Sequence, residues 1–345
     1  MKYYKRETKF ELLRIVLMLF IIGGHVLMWG ENLDNFNNTG VDYYLSNFLR
    51  SIFMIAVNVF VLISGYFGIK LKWRKLFKLE SKVLIYTYIS IILGLLFGIY
   101  HFSIKTDIKL LFPLLTKQYW FITVYFVLCL LSPYLNKFLK IVSKKELKSL
   151  LLILILIFYG IATFCYAINA DQIVPDAGYG IINFISLYYL GYYIRNYYID
   201  KHSMKFYCLL FFISIVLLFL ANQLFTRVLG FYFDGFISYN SAFVLFGSVF
   251  FFLMFKNINL KYNKCINNIS SRCLAVYIIH MNPIWGKYVF QTLFNVKSLS
   301  GINILFGIVL ISIIVYIVCY FIDYVIDILL YPIDKFIFEE FELKK

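Results

Sequence analysis

Charge is scarce in this chain: acidic and basic residues make up 15% of it, against 62% hydrophobic residues and a mean hydropathy of +0.81. A water-soluble fold cannot hide that much apolar surface, which excludes the soluble globular classes. Proline is rare, 5 residues in 345, so long helices meet few forced interruptions. The sequence has no glycine-serine linkers, no low-complexity tracts and no strong internal repeat. The missing repeat disfavours a transporter built from two inverted halves. The six cysteines are scattered, with Cys129, Cys165, Cys208 and Cys319 in apolar runs and Cys265 and Cys273 assigned to a cytoplasmic loop. They suggest neither a disulfide framework nor a zinc site.

What remains is a series of apolar runs, each near the roughly 20 residues needed to cross a bilayer core. Ten are expected: 10–29, 49–69, 83–101, 119–136, 149–168, 180–196, 206–224, 237–255, 273–291 and 303–331. They recur without a gap able to hold a soluble domain, so residues 1–345 are expected to form one membrane-embedded domain of all-α class. The basic start and apolar run of residues 1–29 resemble a signal peptide. Full spanning length, Arg14 within the run and the lack of a small-x-small cleavage site favour a retained span.

Basic residues orient the chain, because short cytoplasmic loops keep an excess of Lys and Arg. With the N-terminus inside, 25 basic residues fall in cytoplasmic segments and six outside, while Arg14 and Arg50 lie in or beside helices. Both termini are therefore expected in the cytoplasm. The net charge of +15 then reflects loops against an anionic leaflet, with membrane lipids rather than nucleic acid as partners.

Chemistry is sought among polar groups inside the bilayer, where they are costly. The first run, FELLRIVLMLFIIGGHVLMW, holds Glu11, Arg14 and His25. Arg14 and His25 are eleven residues apart, so they project from nearly one helical face, roughly 16 Å apart along the axis. Glu11 precedes Arg14 by three and is placed to pair with it. A buried imidazole tends to stay neutral and can accept a proton from a hydroxyl nucleophile, as a general base for acyl transfer must. The bland alternatives stay open: His25 as a hydrogen-bond partner of a neighbouring helix, and Arg14 as a cation snorkelling to the inner headgroups.

Four segments in order carry a resemblance. FELLRIVLMLFIIGGH, NVFVLISGYFG from Asn58, YWFITVYFVLCLLSPYLNKFL from Tyr119, and AVYIIHMNP from Ala275 resemble the acyltransferase-3 family. These are integral membrane acyltransferases, among them bacterial enzymes that O-acetylate surface polysaccharides. The resemblance implies His25 as catalytic base and Arg14 as its partner on the first helix; Glu11 joins this candidate catalytic group by its spacing from Arg14. The resemblance also implies acetyl-CoA as donor substrate, no bound cofactor or metal, a glycan acceptor and the bacterial cytoplasmic membrane. The family's basic motif after the second span is altered here to Lys70, Leu71, Lys72, Trp73, Arg74, Lys75. Lys72, Arg74 and Lys75 are the expected CoA-phosphate contacts, although Lys lacks the bidentate grip of Arg. Positive-inside topology explains the same charges.

Asn58, Trp120 and His280 are candidates for the acceptor site or cavity, against helix-to-helix bonding for Asn58, an interfacial aromatic belt for Trp120 and simple packing for His280. Ser64 and Gly65 suit close helix packing. Some members use a late acidic residue; Asp323 and Asp327 are the nearest candidates, read here as polar residues near an inner helix end. The leading expectation is an acyl-CoA-dependent O-acyltransferase acting on a glycan. A flippase or transporter, which would hold a pyrophosphate with Arg14 and Arg50, and a glycan polymerase are the alternatives.

Overall fold

Within a bilayer every backbone N–H and C=O must be satisfied internally, so apolar runs of this length become helices. The structure, a computed structural model, describes residues 7–30 and 40–340; for residues 30, 106 and 331–340 only the backbone is described. Lys2, Lys5, Arg6, Lys344 and Lys345 from the basic-residue count lie outside the described residues. The principal helices are α1 (Thr8–Gly30), α2 (Val41–Phe53), α3 (Ile55–Phe67), α4 (Trp73–Leu96), α5 (Trp120–Ile141), α6 (Lys144–Ala167), α7 (Ile181–Asn196), α8 (Met204–Leu229), α9 (Ala242–Lys256), α10 (Lys264–Ser270), α11 (Cys273–His280) and α12 (Ile302–Glu340). Among the described residues, eight helical segments are long and apolar enough to cross a membrane, with α2 and α3 counting as one. The protein is an all-α polytopic membrane protein.

Two of the ten expected runs do not form one long helix. Residues 180–196 give the 16-residue α7, and residues 273–291 break after α11. The break follows from Pro283, which has no N–H and disfavours helical backbone at the residue before it. Asn282 adapts to it: its Oδ1 accepts from the Ile284 N–H at 3.0 Å, and its Nδ2 donates to the Tyr119 hydroxyl at 3.1 Å. Helix α4 begins at Trp73 rather than at residue 83, so Arg74, Lys75 and Lys78 ride on its first turns. Pro133 lies inside α5 without ending it. The N–H it lacks would have served the carbonyl of Cys129, and the Ser132 hydroxyl donates to that carbonyl at 2.7 Å instead.

Lipid tails give no hydrophobic drive between helices, so close packing depends on small residues. A Cβ on Gly65 of α3 would fall 2.2 Å from the carbonyl oxygen of Tyr188, and one on Gly191 of α7 would fall 2.4 Å from that of Leu62. The two backbones therefore touch through paired glycines, in the packing role expected for Gly65. Helix α1 runs through the bundle in contact with α2, α3, α9, α10, α11 and α12.

Most of the loops rich in Lys and Arg gather at one end. There Lys9 Nζ donates to the Lys256 carbonyl (2.7 Å), the Asn263 N–H donates to the Thr8 hydroxyl (2.9 Å), and Asn136 Nδ2 donates to the Ile69 carbonyl (2.7 Å). At the other end the Gly301 N–H donates to Asp42 (2.6 Å) and Gln291 Nε2 to the Trp29 carbonyl (2.7 Å).

Candidate active site

Two cavities face each other inside the bundle. The inner one, about 690 Å³, opens toward the Lys- and Arg-rich end and is lined by Glu11 and Arg14 from α1, Ser64 from α3, Lys70, Tyr125, Arg195, Ser270 and Cys273, among others. The outer one, about 410 Å³, is lined by His25, Arg50, Trp120, Tyr179 and Tyr239, among others. Ile21, Phe121 and Tyr277 line both, so these three side chains form a shared wall. One face of α1 thus presents Arg14 to the inner cavity and His25 to the outer one, as the eleven-residue spacing implies.

His25 and His280 meet across α1 and α11. His25 Nδ1 lies 3.0 Å from His280 Nε2, and His280 Nδ1 lies 2.6 Å from the Val276 carbonyl oxygen. A carbonyl only accepts, so in the neutral pair His280 carries its proton on Nδ1 and its Nε2 accepts from His25 Nδ1–H. The remaining nitrogen, His25 Nε2, is then an unprotonated acceptor. Trp29 stacks on the His25 ring with centroids 5.4 Å apart, and Gly286 leaves room for the indole, which a Cβ there would meet at 2.4 Å. His280 is buried, 5% exposed, and absent from the cavity lining; it stands behind His25.

Arg14 donates to Glu11 as the spacing predicted, and the Ser270 hydroxyl donates to the other Glu11 oxygen. Glu11 is 3% exposed, so its carboxyl is held by protein groups, Arg14 and Ser270 among them, rather than by bulk water. The structure separates this group from His25 by most of the length of α1.

Lys72, Arg74 and Lys75 are exposed at the start of α4 and do not line the inner cavity. Among the described residues the cations that do are Arg14, Lys70 and Arg195, with Arg195 over the Tyr66 ring at 4.7 Å. Sequence reasoning missed Arg195 because nothing local distinguishes it from other basic loop residues. Asn58 is fully buried and does not line either cavity. Its Nδ2 donates to the Tyr239 carbonyl (2.8 Å) and its Oδ1 accepts from Asn183 (3.3 Å), so it ties α3 to α7 and to the segment before α9. Trp120 does line the outer cavity, with ring centroids 4.5 Å from Tyr179 and 5.4 Å from Tyr239. Gly178, at φ +80°, turns the chain so that Tyr179 faces this cluster.

Arg50, unassigned within the enzyme reading, lines the outer cavity and donates to Tyr232 and, at 3.0 Å, to Asp234. Its presence in an apolar run was the available signal. Asp323 and Asp327 lie outside both cavities: Asp323 accepts from Lys82 (2.8 Å), Tyr86 and Arg272, and Asp327 accepts from Arg272 (2.8 Å). They clamp α4 to α12, consistent with a structural part. Cys273, expected in a loop, is the buried first residue of α11 and accepts from or donates to the Tyr316 hydroxyl at 3.3 Å.

No curated protein and no solved structure matches the chain. The sequence model of one family, described as an acyltransferase domain, matches residues 7–324, a stretch that takes in all four resembling segments and every residue of both cavities. An intramembrane imidazole with a free nitrogen, set beside a cavity on one side and joined through a thin wall to a cation-lined cavity on the other, is therefore found in a chain that belongs to the acyltransferase-3 family of membrane acyltransferases.

Proposed function

We propose that this acyltransferase moves an acyl group, acetyl in the first instance, from acyl-CoA in the inner cavity to a hydroxyl of a glycan in the outer cavity. The observation that carries the reading is the wall of Ile21, Phe121 and Tyr277 shared by the two cavities, with Arg14 on one side and His25 on the other. Arg14, Lys70 and Arg195 offer cations to the CoA phosphates, and the pantetheine arm follows α1 toward the wall. Trp120, Tyr179 and Tyr239 offer faces for a sugar ring, and Arg50 with Asp234 offers polar contacts to its hydroxyls. His25 Nε2 takes the proton of the attacking hydroxyl, while His280 holds the ring in the tautomer that leaves this nitrogen open.

The Lys and Arg bias supports an even number of crossings with both termini in the cytoplasm, and with them the inner cavity as the cytoplasmic one. The resemblance supports a bacterial cytoplasmic membrane, and the lack of a gap between apolar runs supports a single domain. Membership in an acyltransferase family does not favour the transporter and polymerase readings. The test is transfer of label from acetyl-CoA to de-O-acetylated surface polysaccharide of the host by purified protein in detergent. Label on the polysaccharide with wild type and none with His25→Ala is the expected result; no transfer from acyl-CoA to any host glycan would reject the reading.

A further inference from the structure

We propose that the Tyr277 hydroxyl is the catalytic hydrogen-bond donor to the oxyanion formed when the thioester is attacked, and that transfer takes place at the wall the two cavities share. This rests on the inner cavity holding the donor and the outer one the acceptor. Tyr277 is 5% exposed, and its buried hydroxyl meets no acceptor for its proton among the described residues; the Phe121 backbone N–H is directed toward it, as a donor. Buried polar groups are nearly always partnered, because leaving one unmade sacrifices its hydration with nothing in return. The hydroxyl belongs to a residue that touches both cavities, and the other two wall residues, Ile21 and Phe121, have no polar side-chain atom. By contrast the Tyr125 hydroxyl, lining the inner cavity, meets Ser64 at 3.5 Å.

Tyr277 stands one turn before His280 on α11, with ring centroids 6.0 Å apart, and His280 in turn touches His25. One short helix thus carries both the partner of the base and the orphan donor. The acceptor oxygen bonds to the thioester carbonyl carbon while His25 Nε2 takes its proton, and the carbonyl π pair moves onto oxygen, which the Tyr277 O–H donates to without losing its proton. Collapse restores the carbonyl, breaks the C–S bond, and returns the proton from His25 to the departing thiolate. The products are an ester and free CoA, with both side chains regenerated. The donor bond strengthens as charge develops on oxygen, so it acts on the transition state more than on bound substrate.

Tyr277→Phe removes that hydroxyl and leaves the ring. Loss of one oxyanion donor should lower kcat by about 10²- to 10³-fold. The KM for acetyl-CoA and for the polysaccharide should change by no more than about twofold, since ground-state binding is untouched. Melting temperature in detergent should stay close to wild type, because the deleted O–H has no acceptor to lose. Tyr119→Phe is the comparison: that hydroxyl accepts from Asn282, lies 3.4 Å from Thr87 and lines neither cavity, so kcat should stay near wild type. Wild type that acylates polysaccharide, with Tyr277→Phe retaining its kcat or with Tyr119→Phe losing as much, overturns the oxyanion assignment alone. Wild type that transfers nothing from acetyl-CoA overturns the two-cavity reading beneath it.

Discussion

His25 Nδ1 lies 3.0 Å from His280 Nε2, joining two imidazoles that are 255 residues apart in the chain. Because His280 Nδ1 is committed to the Val276 carbonyl, its Nε2 accepts from His25 Nδ1–H in the neutral pair, and under the proposed mechanism His280 acts as a positioning residue for the base.

The first prediction concerns this pair. His25→Ala should cost about 10²- to 10⁴-fold in acylation rate, the range for a lost general base. His25→Gln keeps hydrogen bonding but cannot act as a base near neutral pH, and should be equally inactive. His280→Phe should lose less, because it frees the tautomer without removing the base. Rates with labelled acetyl-CoA in protein of equal abundance decide the order; an active His25→Gln would leave His25 a structural residue.

For Arg14 and Glu11 the magnitudes favour an asymmetry. The Arg14 side chain is 29% exposed and that of Glu11 4%, so removing Arg14 takes a cation away from a buried carboxylate, whereas removing Glu11 leaves a cation that the open cavity can hydrate. Breaking a buried pair from one side costs about 3–5 kcal/mol. Arg14→Ala should therefore lower the melting temperature more than Glu11→Ala, and the double variant should recover part of the loss. Equal effects, simply additive, would show that the pair is not coupled.

The donor site sets two groups of cations against each other. Lys70→Ala with Arg195→Ala should raise the KM for acetyl-CoA with little change in kcat, as expected for contacts remote from the thioester. Neutralising Lys72, Arg74 and Lys75 together should have the smaller effect, because these side chains are exposed beside the cavity and not in it. The reverse order in steady-state kinetics would return the CoA site to the Lys72–Lys75 stretch.

Gly191→Ala should abolish folded protein rather than activity alone. Its Cβ would overlap the Leu62 carbonyl and the Tyr66 nitrogen, backbone atoms that cannot rotate aside. Size-exclusion profiles in mild detergent, compared with Gly68→Ala, check it. Gly68, at φ +75°, has open space around the added methyl, so only backbone strain is introduced there and a folded peak should survive.

Asp200, in the loop between α7 and α8, supplies a pH dependence. Burial pushes its carboxyl upward, but the Lys256 ammonium and the Tyr207 hydroxyl outweigh burial and hold it below the usual carboxylate value. A depressed folded value contributes stability above the ordinary carboxylate pKa and loses it as pH falls through the folded one. The melting-temperature gap between wild type and Asp200→Asn should be full near pH 7, begin to close below about pH 4, near the unfolded value, and vanish once pH falls below the folded one. A gap independent of pH would show that charge on Asp200 is not what stabilises the loop.

Sequence alone determined the class, the approximate spans and the α1 stripe of Glu11, Arg14 and His25, because these depend on local quantities: transfer of side chains into lipid and the 3.6-residue helical repeat. Gly65 was legible for the same reason, since small residues mark close approach between helices. The break before Pro283 was visible as a proline but not as a boundary, because only tertiary contacts from Tyr119 show how Asn282 absorbs it. For Asn58 the two readings, cavity residue or helix-to-helix bond, could not be separated in sequence, since a buried amide looks alike whether it meets a ligand or, as here, Tyr239 and Asn183. The lining of the inner cavity by Lys70 and Arg195 rather than by Lys72, Arg74 and Lys75, the contact of His280 with His25, and the place of Tyr277 in the wall of both cavities depended on tertiary structure. Each requires helices far apart in the chain to be brought side by side, and hydropathy, which measures each segment against lipid, carries no information about which neighbour a segment will face.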